Sequence, residues 1–275
     1  MELRGRNALV TGAGGGLGAY IARALATQGV NLALSDLPSA SVDDLVEEVG
    51  GRGVRAEAVP ADLRDREQLE ALVGRADEAI GPLDILVNNA GLEFGGSYLD
   101  TTSDELEAIL DVNLLATMVL TRQALPGMLE RGRGHIVNMA SLAGKAPVAY
   151  LASYCATKHG VVGFTHALRQ EHGNEPVGFS ALCPGFISQV GMYGRLEKQV
   201  GDPPGLGTLP PERVGDAVVR AITKNLPEVI VAKGSARALI VLAAFFPRTM
   251  ARISGSKRSM DFARRFAEAR GRPLS

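Results

Sequence analysis

Short apolar runs alternate with stretches of helical spacing along most of this chain, and that alternation limits the fold more than any other feature. Residues 7–11, 30–35, 54–59, 83–87, 135–139, 177–182 and 229–232 read as strands. Residues 17–28, 41–49, 66–80, 103–131, 152–172 and 211–224 read as the intervening helices, with a bend or terminus expected at Pro126. Ser41 is the expected N-cap of the second helix, with Asp43 and Asp44 in its first turn. Continuous apolar strands joined by helices call for a parallel sheet covered on both faces. Right-handed crossovers then wind the chain in both directions from the middle of the sheet, leaving ligand sites at the carboxyl ends of the strands. The expected fold class is therefore α/β: a doubly wound parallel sheet of seven strands with helices on both faces. No linker or repeat divides it, so residues 1–232 are expected to form a single domain and 233–275 a helical, basic, partly apolar C-terminal extension.

Composition agrees with a sizeable core: 46% of the 275 residues are hydrophobic and 21% charged. Residues 1–6 lack the apolar run of a signal peptide, and two cysteines make no disulfide framework, so a cytoplasmic location is expected. The histidines show no metal-site spacing with the cysteines or carboxylates, and no metal and no nucleic-acid partner are expected. The net charge of −1 conceals an asymmetry, since ten Lys and Arg against two acids give residues 233–275 a charge of +8.

The chemistry-bearing residues fall at the ends of successive strands. The first strand runs into Thr11-Gly12-Ala13-Gly14-Gly15-Gly16-Leu17-Gly18 and then a helix. Glycines there let backbone approach a pyrophosphate, and a helix N-terminus favours its charge. Asp36 closes the second strand, where a carboxylate bonds ribose hydroxyls and repels a 2′-phosphate. With no Lys or Arg in the glycine turn, NAD is expected ahead of NADP. Asp62 and Leu63 follow the third strand, Asp62 as an acceptor for an adenine amine, and Asn88-Asn89-Ala90-Gly91 follows the fourth. Tyr154 and Lys158 stand one turn apart on a helix, where an ammonium is expected to lower the pKa of a neighbouring phenol. Tyr150 has Tyr154, not a Lys, four residues on, and is assigned to the pocket rim.

Taken together, residues 5–232 resemble the short-chain dehydrogenase/reductase family, the single-domain proteins built on a Rossmann-type sheet. The resemblance rests on Thr11-Gly12-x-x-x-Gly16-x-Gly18, Asn88-Asn89-Ala90-Gly91, Asn113, Ser141, Tyr154-x-x-x-Lys158 and Pro184-Gly185-Phe186-Ile187-Ser188. It implies a catalytic set of Asn113, Ser141, Tyr154 and Lys158. Tyr154 would be the general acid/base, Lys158 would depress its pKa and bind the nicotinamide ribose, Ser141 would bond the substrate oxygen, and Asn113 would hold a water linking Lys158 to solvent. Thr11, Gly12, Gly16, Leu17, Gly18, Asp36, Asp62, Leu63, Asn89, Gly91, Pro184, Gly185, Ile187 and Ser188 would line the cofactor, with residues 184–188 meeting the nicotinamide. The chain lacks the ending common in tetrameric members, so a homodimer or higher homo-oligomer is expected without a choice between them.

Loops after strands four to six supply Leu92, Phe94, Leu142, Val148, Tyr150, Phe186, Met192 and Tyr193 as pocket candidates, with few charges among them. These favour a small apolar secondary alcohol or ketone as substrate. The alternative is a non-catalytic dinucleotide-binding sensor or scaffold, and a dehydratase or epimerase using the same Tyr–Lys pair is a third reading. Residues 238–246 are continuously apolar but too short to span a bilayer. They are expected to pack on the body or a second subunit, ahead of walling the substrate entrance or making peripheral membrane contact. The distal helix near 260–270 is expected to be more loosely held.

Overall fold

The computed structural model describes residues 1–234, 240 and 245–270. Seven strands make one parallel sheet among them: β1 (Asn7–Thr11), β2 (Asn31–Ser35), β3 (Ala56–Ala58), β4 (Ile85–Asn88), β5 (Gly134–Met139), β6 (Val177–Pro184) and β7 (Glu228–Val231). Their order, β3-β2-β1-β4-β5-β6-β7, reverses direction between β1 and β4. That reversal opens a crevice at the carboxyl ends, and the glycine turn after β1 sits at its centre.

Alternation along the strands sorts the core onto two faces. Ala8 and Val10 point to α1 (Gly16–Thr27) and α9 (Glu212–Thr223), joining Ile21, Leu25, Val214 and Val218. Leu9 and Leu86 point the other way, onto Leu72 of α3 (Arg66–Ile80) and Leu120 of α5 (Ala116–Glu130). With helices on both sides, β4, β5 and β6 are buried at every position, which is why they read as unbroken apolar runs.

Helix starts follow local chemistry. Asp65 caps α3 by accepting from the amides of Glu67 and Gln68, and Thr102 with Glu105 forms a reciprocal capping box on α4 (Ser103–Leu110). The helix α2 (Asp43–Gly50) begins after Val42 rather than Ser41, although the Ser41 hydroxyl accepts from the Asp43 amide at 3.2 Å. The irregularity expected at Pro126 lies elsewhere. Pro126 is inside α5, and the distortion is a π-helical segment, Asp111–Leu115, that joins α4 to α5. One extra residue in that turn rotates Asn113 inward, where it is buried.

The helix α6 (Ala152–Glu171) carries the Tyr–Lys pair beside β6. After β6 the chain makes two short helices, α7 (Gly191–Gly194) and α8 (Glu197–Val200), and returns through a parallel bridge between Ile187 and Leu209. Beyond β7, α10 (Pro247–Ser254) and α11 (Lys257–Glu268) complete the described chain. The apolar run at 238–246 lies largely outside the described residues. The expectation of a loose distal helix does not hold: Phe262, Ala263, Phe266 and Ala267 of α11 are buried. Their spacing puts all four on one face, which closes on Phe186 and Tyr193.

Candidate active site

The glycine turn is shaped by close packing. Gly12 has φ +64°, and a Cβ there would come within 2.8 Å of the Ala90 Cα. A Cβ on Gly18 would run into the Gly12 carbonyl oxygen, and one on Gly16 would come within 2.6 Å of the Gly191 amide. Thr11 is buried, its hydroxyl accepting from the amides of Asn89 and Ala90 at 3.0 and 3.1 Å. Asn89 returns the support, donating to the carbonyls of Thr11 and Gly12 at 2.9 and 3.1 Å. Thus Thr11 and Gly18, expected to line a cofactor, stand behind the wall and set the turn, whereas Gly12, Gly16 and Leu17 face the cleft. Helix α1 begins at Gly16 with no side-chain cap and no acid in its first turn, so none of its own side chains competes for its free amides.

Asp36 lies beside that turn. Its carboxylate accepts from the Gly14 amide and from the Leu37 amide, both at 2.8 Å. Asp62 accepts from the Arg64 amide at 2.9 Å, and Asp62, Leu63, Asn89 and Gly91 continue the wall. Pro184, Gly185 and Ile187 form the opposite side. Ser188 does not, because its hydroxyl is spent on the Leu209 carbonyl at 3.3 Å. A cavity of about 840 Å³ runs from Asp36 past these residues to Tyr154 and on to α11. Its length, glycine approach and uncapped helix fit an extended dinucleotide with a second ligand beyond it.

At the inner end, Tyr154 is buried, with Ser141 beside its phenol. Ser141 itself accepts from the Ala143 amide at 3.1 Å, which fixes its position at the end of β5. Lys158 places Nζ 5.6 Å from the Tyr154 ring centroid and donates to the Met139 carbonyl at 2.8 Å. Gly144 lets these elements meet, since a Cβ there would lie 2.5 Å from the Lys158 carbonyl oxygen. Asn113 stands behind the cavity wall with its side chain fully engaged. It accepts from the Leu92 amide at 2.7 Å and donates to the Leu92 carbonyl and the Thr157 hydroxyl at 2.9 and 3.2 Å.

The electrostatics depart from the expectation that Lys158 depresses the phenol. Burial pushes the Tyr154 pKa up, the Glu93 carboxylate adds to this, and the nearby Ser141 hydroxyl opposes it. Burial also pulls Lys158 down to about 8. Both groups are therefore biased toward their neutral forms, because each would carry a charge in an apolar enclosure.

Of the expected pocket residues, Leu92, Leu142, Val148, Phe186, Met192 and Tyr193 line the cavity. Phe94 packs against the apolar cluster beneath it. Tyr150 is not on the wall, and its backbone is left-handed, φ +64°. Two groups that line the cavity were absent from the sequence reading. Phe262 and Phe266 of α11 close its outer end, and Glu93 and Arg270 place an ion pair of 3.0 Å inside it. Glu93 was in plain view between Leu92 and Phe94, but one acid in an apolar loop gives no signal of burial.

Comparison with known proteins accords with this geometry. The short chain dehydrogenase family model matches residues 6–201. Ketoacyl reductase HetN of Nostoc sp. is 39% identical over 273 residues, covering 98% of this chain and 94% of that protein. Oxidoreductase UcpA of Escherichia coli K12 is 40% identical over 187 residues, 68% of this chain and 71% of its own length. Among solved structures, an actinorhodin polyketide ketoreductase with NADPH superposes with a TM-score of 0.76 at 31% identity, over 84% of this chain and 97% of that one. A Burkholderia phymatum short chain dehydrogenase/reductase in complex with NAD gives 0.80 at 26% identity, over 90% and 96%. The chain belongs to the short chain dehydrogenase/reductase family and is an NAD(P)-dependent oxidoreductase acting on CH–OH or keto groups.

Proposed function

We propose that the protein interconverts an apolar secondary alcohol and its ketone, using NAD in preference to NADP, with Tyr154 as general acid/base. The observation that carries this reading is the buried phenol of Tyr154, beside Ser141 and flanked by Lys158, at the inner end of one continuous cavity. The nicotinamide supplies or accepts the hydride. Ser141 holds the substrate oxygen within reach of the phenol. In reduction Tyr154 donates its proton to the nascent alkoxide, and in oxidation the phenolate takes the hydroxyl proton. Lys158, anchored on the Met139 carbonyl, orients the ribose and steadies the phenolate when it forms. Asn113 keeps the backbone at Leu92 in place beside them.

Preference for NAD rests on Asp36, whose carboxylate would face a 2′-phosphate at close range with no Lys or Arg from residues 11–18 to offset it. An apolar substrate rests on Leu142, Val148, Phe186, Met192 and the α11 phenylalanines. Assembly into at least a dimer is part of the same reading: Leu110, Leu115 and Met118 are exposed along α4, the π segment and α5. A sensor or scaffold without activity would have no use for an intact Ser141, Tyr154 and Lys158. Incubation with a panel of secondary alcohols and NAD or NADP, following reduced nicotinamide, tests the proposal. Turnover of apolar alcohols with NAD is expected, and no turnover with either cofactor would defeat it.

A further inference from the structure

Beyond the glycine turn the cavity is lined mainly by apolar side chains, and among the described residues its charged groups are Lys158, Arg195 and one facing pair, Glu93 and Arg270. Glu93 comes from the loop after β4, and Arg270 follows α11. The Glu93 side chain is 4% exposed and that of Arg270 24%. Arg270 Nη2 lies 3.0 Å from Glu93 Oε1, yet the contact is not aligned as a hydrogen bond, and Oε1 and Arg270 Nε are buried with no hydrogen-bond partner among the described residues. Arg270 is held by other contacts, donating from Nη2 to the Met192 carbonyl at 3.1 Å and covering the Phe266 ring. A guanidinium and a carboxylate normally meet as a two-bonded fork. Here the partners are fixed by separate elements in an arrangement that leaves bonding capacity unused inside a ligand cavity.

Burying a charge without its hydrogen bonds is costly. A cavity whose purpose was only to hold an apolar molecule would be better lined by Leu and Met. The pair also discriminates by charge: the carboxylate repels an anion, and the guanidinium repels a cation. A neutral group that both donates and accepts satisfies the two together, giving its hydrogen to Glu93 and its lone pair to Arg270. A hydroxyl is the smallest such group.

We propose that Glu93 and Arg270 form a second polar subsite that selects alcohols or ketones carrying a further hydroxyl group, remote from the carbon that Tyr154 and Ser141 address. This rests on the oxidoreductase reading above and narrows its substrate class. The chain reads its substrate at two points, the catalytic phenol and a clamp closed by the C-terminal helix, with apolar wall between them.

A series of straight-chain 2-alkanones, each with and without a terminal hydroxyl, measures the spacing directly, with the corresponding terminal carboxylates as a third arm. Binding to the protein saturated with NAD is measured by calorimetry at pH 8, where Glu93 is ionised, and reduction is followed with NADH. At one chain length the hydroxyketone should bind about tenfold tighter than its parent ketone, the order of a single well-placed hydrogen-bonding group. The keto acid should bind no better than the parent. The double variant Glu93→Leu with Arg270→Met removes both charges without stranding either, and should abolish the preference while binding the plain ketone at least as well. Equal binding of hydroxyketone and ketone at every length, a preference for the keto acid, or a preference that survives in the double variant would overturn the proposal. Hydroxyketone-selective binding without any reduction would leave the subsite standing and defeat the oxidoreductase reading instead.

Discussion

Replacing Glu93 by Gln should make the protein more stable at alkaline pH and nearly unchanged near pH 5. The Glu93 carboxyl is pushed up to about 7 from the usual 4.5, chiefly by burial and against the pull of Arg270. Between those values the unfolded carboxyl is ionised while the folded one keeps its proton. The folded chain then binds more protons, so this group's contribution falls as pH rises through that window and levels off above about 7. At about 1.4 kcal/mol per pH unit, the full penalty is about 3 kcal/mol. Gln keeps the shape and cannot titrate. Urea denaturation of both proteins at pH 5, 6, 7 and 8 isolates the effect, because Tyr154 and Cys155, which Glu93 perturbs, are both shifted upward and titrate above this window. The stability gap should widen by about 3 kcal/mol in favour of the variant across the series. A gap that stays constant with pH, or one that favours the wild type more at pH 8, would refute the reasoning by showing a carboxylate well solvated or better paired than the geometry indicates.

Tyr154→Phe should cut turnover by at least about a hundredfold while leaving NAD affinity within twofold, measured by steady-state rates and fluorescence titration; Tyr150→Phe should keep most activity, since that ring is off the cavity wall. Asp36→Ala with Leu37→Arg should reverse the order of NAD and NADP dissociation constants. Gly12→Ala should abolish dinucleotide binding, because its Cβ meets the Ala90 backbone at 2.8 Å and its φ is +64°. Phe266→Ala should lower stability by about 3–5 kcal/mol on denaturation, the usual cost of emptying a buried phenylalanine site, and raise KM for apolar ketones.

The legible part of this molecule was the part built from short-range patterns. Strand and helix alternation follows from burial on both sheet faces, so the order of elements through β7 could be read from apolar spacing alone. The glycine turn, Asp36 and the Tyr–Lys pair were legible for a related reason: each follows a strand, and the topology brings all those ends to one edge. What escaped depended on contacts distant in sequence. Arg270 reaches Glu93 and Met192 only because α11 folds back over the cavity, and nothing in an Arg-rich stretch says which face turns inward. The spacing of Phe262 and Phe266 is that of one helical face, but Arg and Lys around them give the stretch the look of a solvated helix. Ser188 failed for a local reason, its hydroxyl captured by a neighbouring carbonyl, and Tyr150 sits in a left-handed turn off the cavity wall.

The sign of the Tyr154 shift follows from the same enclosure and bears on direction. An ammonium one turn away was expected to favour phenolate, but the resting site buries both groups, so the phenol is held protonated and Lys158 is weakened to about 8. Glu93 adds to the burden on the phenolate, since a second negative charge in an apolar space raises the energy of the first. A site in this state holds a proton ready to give, which is what reduction of a ketone asks of it. Oxidation asks for the phenolate and must meet the cost of forming it. Rates of alcohol oxidation should therefore climb with pH well past neutrality, while ketone reduction, whose acid stays protonated, holds level over the same range. In Glu93→Gln the oxidation profile should move to lower pH. Coincident oxidation profiles for wild type and variant would separate Glu93 electrostatically from the phenol and leave burial alone to account for its proton.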